Sequence, residues 1–197
     1  MKNRNQTTTS SETPSSHRGF ASYSRDLHRL LSFVPLRPYQ RLVLFGGSSR
    51  DLAVALGKTL WNGHLSIVTT NQKDANTCQE AIRLARLSNV SVTNKTKPIS
   101  LAMENSLDGI IVDVDSSKNF QKNFGLKTMK SWLLPGGWMT VIVSEPASQT
   151  QASGQNRVEL LSSITKAATT IGFRLKQERD LESSFAILIF NKPSIGK

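Results

Sequence analysis

The chain has 197 residues, 38% of them apolar, with 25 Lys and Arg against 14 Asp and Glu for a formal net charge of +11. That length supports one domain with a sizeable core and is short for two, and no run approaches the roughly 18–20 consecutive apolar residues of a membrane span. The single cysteine, Cys78, excludes an internal disulfide and a multi-cysteine metal site, while the positive surplus attracts polyanions such as nucleic acid.

Residues 1–22 carry no apolar periodicity and read as a disordered basic arm, with the folded domain over residues 23–197. The Ser, Thr and Arg of this arm, with Glu12 as its one acid before Asp26, match the composition of an organellar transit peptide. Residues 1–19 lack the large apolar residues of an amphipathic targeting helix, so the expectation is a cytoplasmic protein, with organellar import as the alternative.

From Arg25 onward Leu27, Leu30, Leu31 and Val34 recur at helical spacing, and Pro35 and Pro38 stop the helix. Leu42 to Phe45 is a buried-strand signal that ends in Gly46-Gly47-Ser48-Ser49. Leu52, Ala55, Leu56 and Leu60 then give a helix that Ser48 or Ser49 is placed to cap. Leu65–Val68 reads as a second strand, Ala75, Cys78, Ile82 and Ala85 as the inner face of a helix, and Val90–Val92 as a third strand. Leu107–Asp113 is apolar on consecutive positions and predicts a strand buried on both faces.

Phe120, Phe124, Met129 and Leu133 predict a helix stopped by Pro135-Gly136-Gly137, followed by a strand over Met139–Val143. Ser144–Gln155 is polar and aperiodic. Val158, Leu161, Ile164, Ala168 and Ile171 mark a long amphipathic helix closed by Gly172, before two strands at Phe173–Lys176 and Phe185–Phe190. Strands alternating with helices imply parallel βαβ units with helices on both faces of a sheet, and two final strands without a helix between them imply an antiparallel hairpin. The expected fold is therefore α/β, a Rossmann-like three-layer sandwich whose seven-stranded, mostly parallel sheet ends in that hairpin.

Short landmarks in this order carry a resemblance. They are Val34-Pro35-Leu36-Arg37-Pro38 before the first strand, Leu87-Ser88-Asn89-Val90 into the third, and Leu107-Asp108-Gly109-Ile110 opening the fourth. Leu133-Leu134-Pro135-Gly136-Gly137 precedes the fifth and Ile171-Gly172-Phe173 leads into the sixth. From about Pro35 to Lys192 the chain resembles the class I S-adenosylmethionine-dependent methyltransferases. The resemblance implies an S-adenosylmethionine cofactor, a methyl acceptor of unknown identity, and a cleft at the carboxyl ends of the strands. It assigns Gly46, Gly47, Ser48 and Ser49 to the cofactor loop, Thr69 or Asn71 to the ribose position, Asn94 to the adenine side, and Asp113 to the meeting place of cofactor and acceptor.

The chain departs from the family's pattern at several of these positions. Leu44 stands where strand one ends in an acid, Ser48 and Arg50 replace the second and third loop glycines, and Thr69 replaces the ribose-binding acid. Asp74 is the nearest acid that could substitute, and Arg50 beside the turn would also suit a phosphate-bearing nucleotide. No catalytic residue is assigned, because methyl transfer proceeds largely by alignment. The alternative reading is a catalytically inactive protein of this fold that binds nucleic acid or a protein partner.

Asp113 and Asp115 share one side if the strand continues, as a substrate anchor or general base, or else lie in a solvated loop. His17, His28 and His64 are scattered without companion ligands, so no metal site is expected. Trp61, Trp132 and Trp138 read as core-edge packing in preference to base-stacking platforms. The basic residues Arg83, Arg86, Lys95, Lys97, Arg174, Lys176 and Arg179 read as solvated faces or phosphate contacts without interleaved aromatics.

Overall fold

A computed structural model describes residues 20–46, 50–94, 104–115, 125–144, 153–181 and 185–194. Its elements run α1 (Phe20–Phe33), β1 (Arg41–Phe45), α2 (Arg50–Thr59), β2 (His64–Thr69), α3 (Gln72–Leu84), β3 (Val90–Asn94) and β4 (Leu107–Asp115). They continue with α4 (Leu126–Trp132), β5 (Leu133–Ser144), α5 (Ser153–Thr170), β6 (Arg174–Leu181) and β7 (Phe185–Asn191).

The seven strands form one sheet in the order β3-β2-β1-β4-β5-β7-β6. β1 to β5 are mutually parallel, and β7 runs antiparallel to both β5 and β6. The three-layer, mostly parallel architecture expected from the sequence is what the chain adopts. Strand order reverses beside β1, which leads outward to β2 and β3 on one flank while β4 pairs on the other. Such a reversal opens a crevice over the carboxyl ends of the strands, because the two flanking connections leave the edge in opposite directions.

Alternation along the strands sends successive side chains to opposite cores. Val43, Phe45, Val112, Val141 and Leu188 face one core with Met129 and Trp132 of α4 and Leu161, Ile164 and Ala168 of α5. Leu42, Leu44, Ile67, Ile111 and Ile187 face the other with Leu30 of α1, Leu52 and Leu56 of α2, and Cys78 and Ile82 of α3. Both faces of the central strands are thus covered, which is why Ile110–Val112 of β4 and Phe185–Phe190 of β7 are apolar at consecutive positions.

Several local expectations are corrected. α1 begins at Phe20, ahead of Arg25, where the helical spacing starts. Leu133 lies in β5, paired with Leu107, and Pro135-Gly136-Gly137 sits inside that strand at a register shift between Leu107 and Gly109. Gly136 has φ +79° and its N–H donates to Lys192 O, so the motif bends β5 towards the chain's last segment and does not merely stop a helix. Phe120 and Phe124 lie outside the described residues. Val158 is exposed although Leu161, Ile164 and Ala168 of the same helix are buried. Trp132 and Trp138 are buried as expected, but Trp61 is 73% exposed.

Gly109 explains how Trp138 is accommodated. A Cβ on Gly109 would lie 2.4 Å from Trp138 Cε2, so the indole occupies the volume that any larger residue on β4 would fill.

Candidate functional site

The register brings the separated candidates together. Thr69 pairs with Asn94 across β2 and β3. Phe45 pairs with both Val68 and Val112, so the next residue, Gly46, lies beside Thr69 on one flank and Asp113 on the other. Asn94, Thr69, Gly46 and Asp113 therefore form a single row across the carboxyl ends of β3, β2, β1 and β4. Cross-strand neighbours in one row share a face, and the pattern of Leu44, Ile67 and Ile111 puts that face on the side of α2 and α3.

Gly46 is where β1 turns out of the sheet. Its N–H still donates to Val68 O at 3.2 Å, while its φ of +104° is one that side chains other than glycine rarely adopt. A Cβ there would stand 2.5 Å from Asp113 O and 3.0 Å from Asp113 Cβ. Gly47, Ser48 and Ser49 lie outside the described residues. Arg50 opens α2 with its side chain 58% exposed and its Nε 3.7 Å from Asp51 Oδ1.

At the end of β2, Thr69 is fully buried and its hydroxyl donates to Asn71 O at 3.2 Å. Asn71 caps α3, its side-chain oxygen accepting from Asp74 N–H at 2.9 Å and its amide donating to Asp74 Oδ2 at 2.7 Å. Asp74 is thus tied to the helix start. Asn94 donates to Gln72 Oε1 at 2.8 Å, bridging the end of β3 to the first residue of α3. Gln72 was not anticipated. The only signal for it was its position one residue after the cap.

Asp113 is 8% exposed and lies within β4, which continues to Asp115, so the solvated-loop reading of Asp113 is overturned. Burial of a carboxylate carries a desolvation cost that it meets through hydrogen bonds or a partner.

The remaining candidates lie elsewhere. His64 stands at the start of β2 with Nε2 3.1 Å from Ser91 Oγ, and His28 is exposed on α1. Cys78 is buried on the inner face of α3, where desolvation and then the charge of Asp74 push its thiol up to about 11. It is protonated and shielded at neutral pH, unsuited to nucleophilic work. Arg83 is held by both carboxylate oxygens of Glu80, at 2.7 and 2.9 Å. Lys95 and Lys97 lie outside the described residues. Among the described residues no group of three His, Cys, Asp or Glu side chains could hold a metal ion, and no helix is long and apolar enough to cross a membrane.

Solved structures share this architecture. The chain is similar to a SAM dependent methyltransferase from Aquifex aeolicus, with 14% identity and a TM-score of 0.71 over 85% of this chain and 89% of that one. The fold is that of the S-adenosylmethionine-dependent methyltransferases. It is also similar to the [4+2]-cyclase SpnF, with 15% identity and a TM-score of 0.70 over 89% of this chain and 85% of that one. A fibrillarin in complex with Nop5p matches with 18% identity and a TM-score of 0.65 over 88% of this chain and 83% of that one. At these identities the likeness is one of fold, and a cyclase among the neighbours shows that the fold alone does not decide the chemistry. No protein-family model matches the chain, and no curated protein matches it in sequence.

Proposed function

We propose that this chain binds S-adenosylmethionine across the carboxyl ends of β3, β2, β1 and β4 and transfers the methyl group to an acceptor lodged beside Asp113. The observation that carries the reading is the single row of Asn94, Thr69, Gly46 and Asp113, which meets the crevice made by the strand-order reversal.

The residues fit such a cofactor through neutral groups. Gly46 turns the chain out of β1 against Asp113, the exposed Asn71 brings its amide to the ribose position above the buried Thr69, and Asn94 with Gln72 offers amides on the adenine side. The bound cofactor supplies an electrophilic methyl on a sulfonium sulfur. Asp113 would accept a hydrogen bond from the acceptor's nucleophilic group or the cofactor's amine and hold it in line. Hydrogen bonds to charged groups contribute about 1.5–3 kcal/mol each. Replacing two of them by neutral ones, which contribute about 0.5–1.5 kcal/mol each, weakens binding by roughly 10–10²-fold against an acid-bearing site.

Calorimetric titration with S-adenosylmethionine and S-adenosylhomocysteine tests the reading. Saturable binding tighter than about 100 μM, weakened by Asp113→Asn, is expected. Absence of heat and of any thermal shift at millimolar ligand sinks it.

One observation favours a second reading. The hydroxyl of Thr69 and the side chain of Asn71 are already engaged within the chain, at the place where the family's ribose-binding acid stands. Under this reading the protein is a catalytically inactive member of the fold that binds nucleic acid or a protein partner. The same titration separates the two.

A further inference from the structure

The rim opposite the cleft, at the amino ends of β1, β2 and β3, carries a feature that cofactor binding does not use. The segment before β1 and the turn before β2 run side by side, with Asn62 N–H donating to Pro38 O at 3.1 Å and His64 N–H to Gln40 O at 3.0 Å. A Cβ on Gly63 would lie 2.2 Å from Gln40 O, so the two backbones touch without intervening side chain. Each segment exposes an aromatic residue, Tyr39 at 56% and Trp61 at 73%.

Neither ring is needed in the core. The adjoining Leu60 and Gln40 are buried in their place, which leaves Trp61 and Tyr39 turned outward. Arg37 Nη1 donates to the Tyr39 hydroxyl at 3.1 Å, holding a guanidinium beside the phenol. Arg41 and Lys58 are exposed on the same rim. Asn89 donates from its side-chain amide to Leu60 O at 2.7 Å and to Gly57 O at 2.9 Å, drawing the turn that bears the exposed Arg86 alongside. The acid beside this group, Asp108, is occupied as an acceptor for Arg41 N–H at 2.8 Å.

We infer that Tyr39 and Trp61 form a stacking platform for single-stranded nucleic acid, with Arg37, Arg41, Lys58 and Arg86 taking the phosphates. Exposed π-faces flanked by cations match the alternation of base and phosphate along a single strand. Adjacent strands stand about 4.8 Å apart, so residues leading into β1 and β2 lie near enough to engage neighbouring bases. A second copy of this chain is the poorer occupant, because facing copies would press like-charged rims together on a protein of net charge +11. This platform is independent of the methyl-transfer reading, which concerns the other end of the strands.

The chain's own fluorescence supplies the test. Of its three tryptophans, Trp132 and Trp138 are buried and Trp61 is the exposed one. Titration of the full chain with 15-nucleotide oligo(U) and oligo(dT) is expected to quench and saturate its emission, and to weaken as salt rises. Read by the fluorescence anisotropy of the same oligonucleotides carrying a 5′ fluorescein, a signal that does not depend on Trp61, Trp61→Ala and Tyr39→Ala should each bind roughly five- to hundred-fold more weakly, Trp61→Phe should recover most of the loss, and Lys73→Ala at the opposite rim should bind as the parent does. Thermal melts of the variants check that folding is kept. The inference is overturned if the oligonucleotides do not bind at low salt, if they bind without quenching, or if the alanine variants bind as the parent does. Equal binding of a duplex of the same length would also overturn it, as would a dimer that Trp61→Ala dissolves without any oligonucleotide binding.

Discussion

The carbonyl oxygen of Asp113 lies 2.5 Å from where a Cβ on Gly46 would project, so the ends of β1 and β4 meet at a point only glycine can fill. The positive φ of Gly46 adds a second restriction on the same residue. Gly46→Ala is therefore expected to cost about 1–3 kcal/mol through backbone strain and displacement of β4. For a chain of this size each kcal/mol lowers Tm by about 2–4 °C. Thermal denaturation checks the stability, and titration with S-adenosylmethionine checks whether the cofactor site fails with it. An unchanged Tm would contradict the close approach.

Gly109 and Trp138 give a comparable pair in the core. Gly109→Ala should destabilise the fold by about 1–3 kcal/mol, because the added methyl meets the indole 2.4 Å away on a sheet with no room to yield. Combining it with Trp138→Leu, which empties the contested volume, should cost less than the sum of the single changes. Strict additivity in urea denaturation would show that the two residues do not compete for space.

Burial of Cys78 predicts a pH dependence of stability. Its folded-state value of about 11 lies above the ordinary 9.0, so at high pH the unfolded chain releases the proton first. The contribution is whole below pH 9 and is lost as pH rises from about 9 to 11. The total loss is roughly 2–3 kcal/mol at 1.36 kcal/mol per unit. Cys78→Ala should remove that part of the slope in alkaline denaturation curves. Alkylation by iodoacetamide at pH 8 should be negligible until denaturant opens α3.

Arg157 on α5 donates to Asp180 of β6 at 2.7 Å, with the arginine side chain 9% exposed and the aspartate 63% exposed. Asp180→Ala leaves a buried cation with one acceptor fewer. Solvent on the aspartate side moderates the cost to about 1–2 kcal/mol. Arg157→Met, which fills similar volume without the charge, should cost less than Asp180→Ala despite removing the same bond. Chemical denaturation of the two variants decides the order, and the reverse order would show that the arginine's other contacts dominate.

The layer order, the parallel core and the terminal hairpin were legible in the sequence because they rest on periodicity. Leu42–Phe45 and Leu107–Asp113 can be buried on both faces only inside a covered sheet, and the helices between them show one apolar stripe each. Element ends were less legible. The Pro135-Gly136-Gly137 stop signal hid a strand that begins at Leu133, since pairing with Leu107 is a long-range contact that no local pattern displays.

Among the site residues, the sequence by itself determined which side chains stand at the turns after the strands, because chain order and strand ends set that. The row that joins Asn94, Thr69, Gly46 and Asp113 was decided only by tertiary pairing, as register depends on contacts between segments up to dozens of residues apart. The same holds for Trp61. Its neighbours in sequence suggest packing, but whether an indole is covered depends on what the fold brings above it, and here nothing among the described residues buries it.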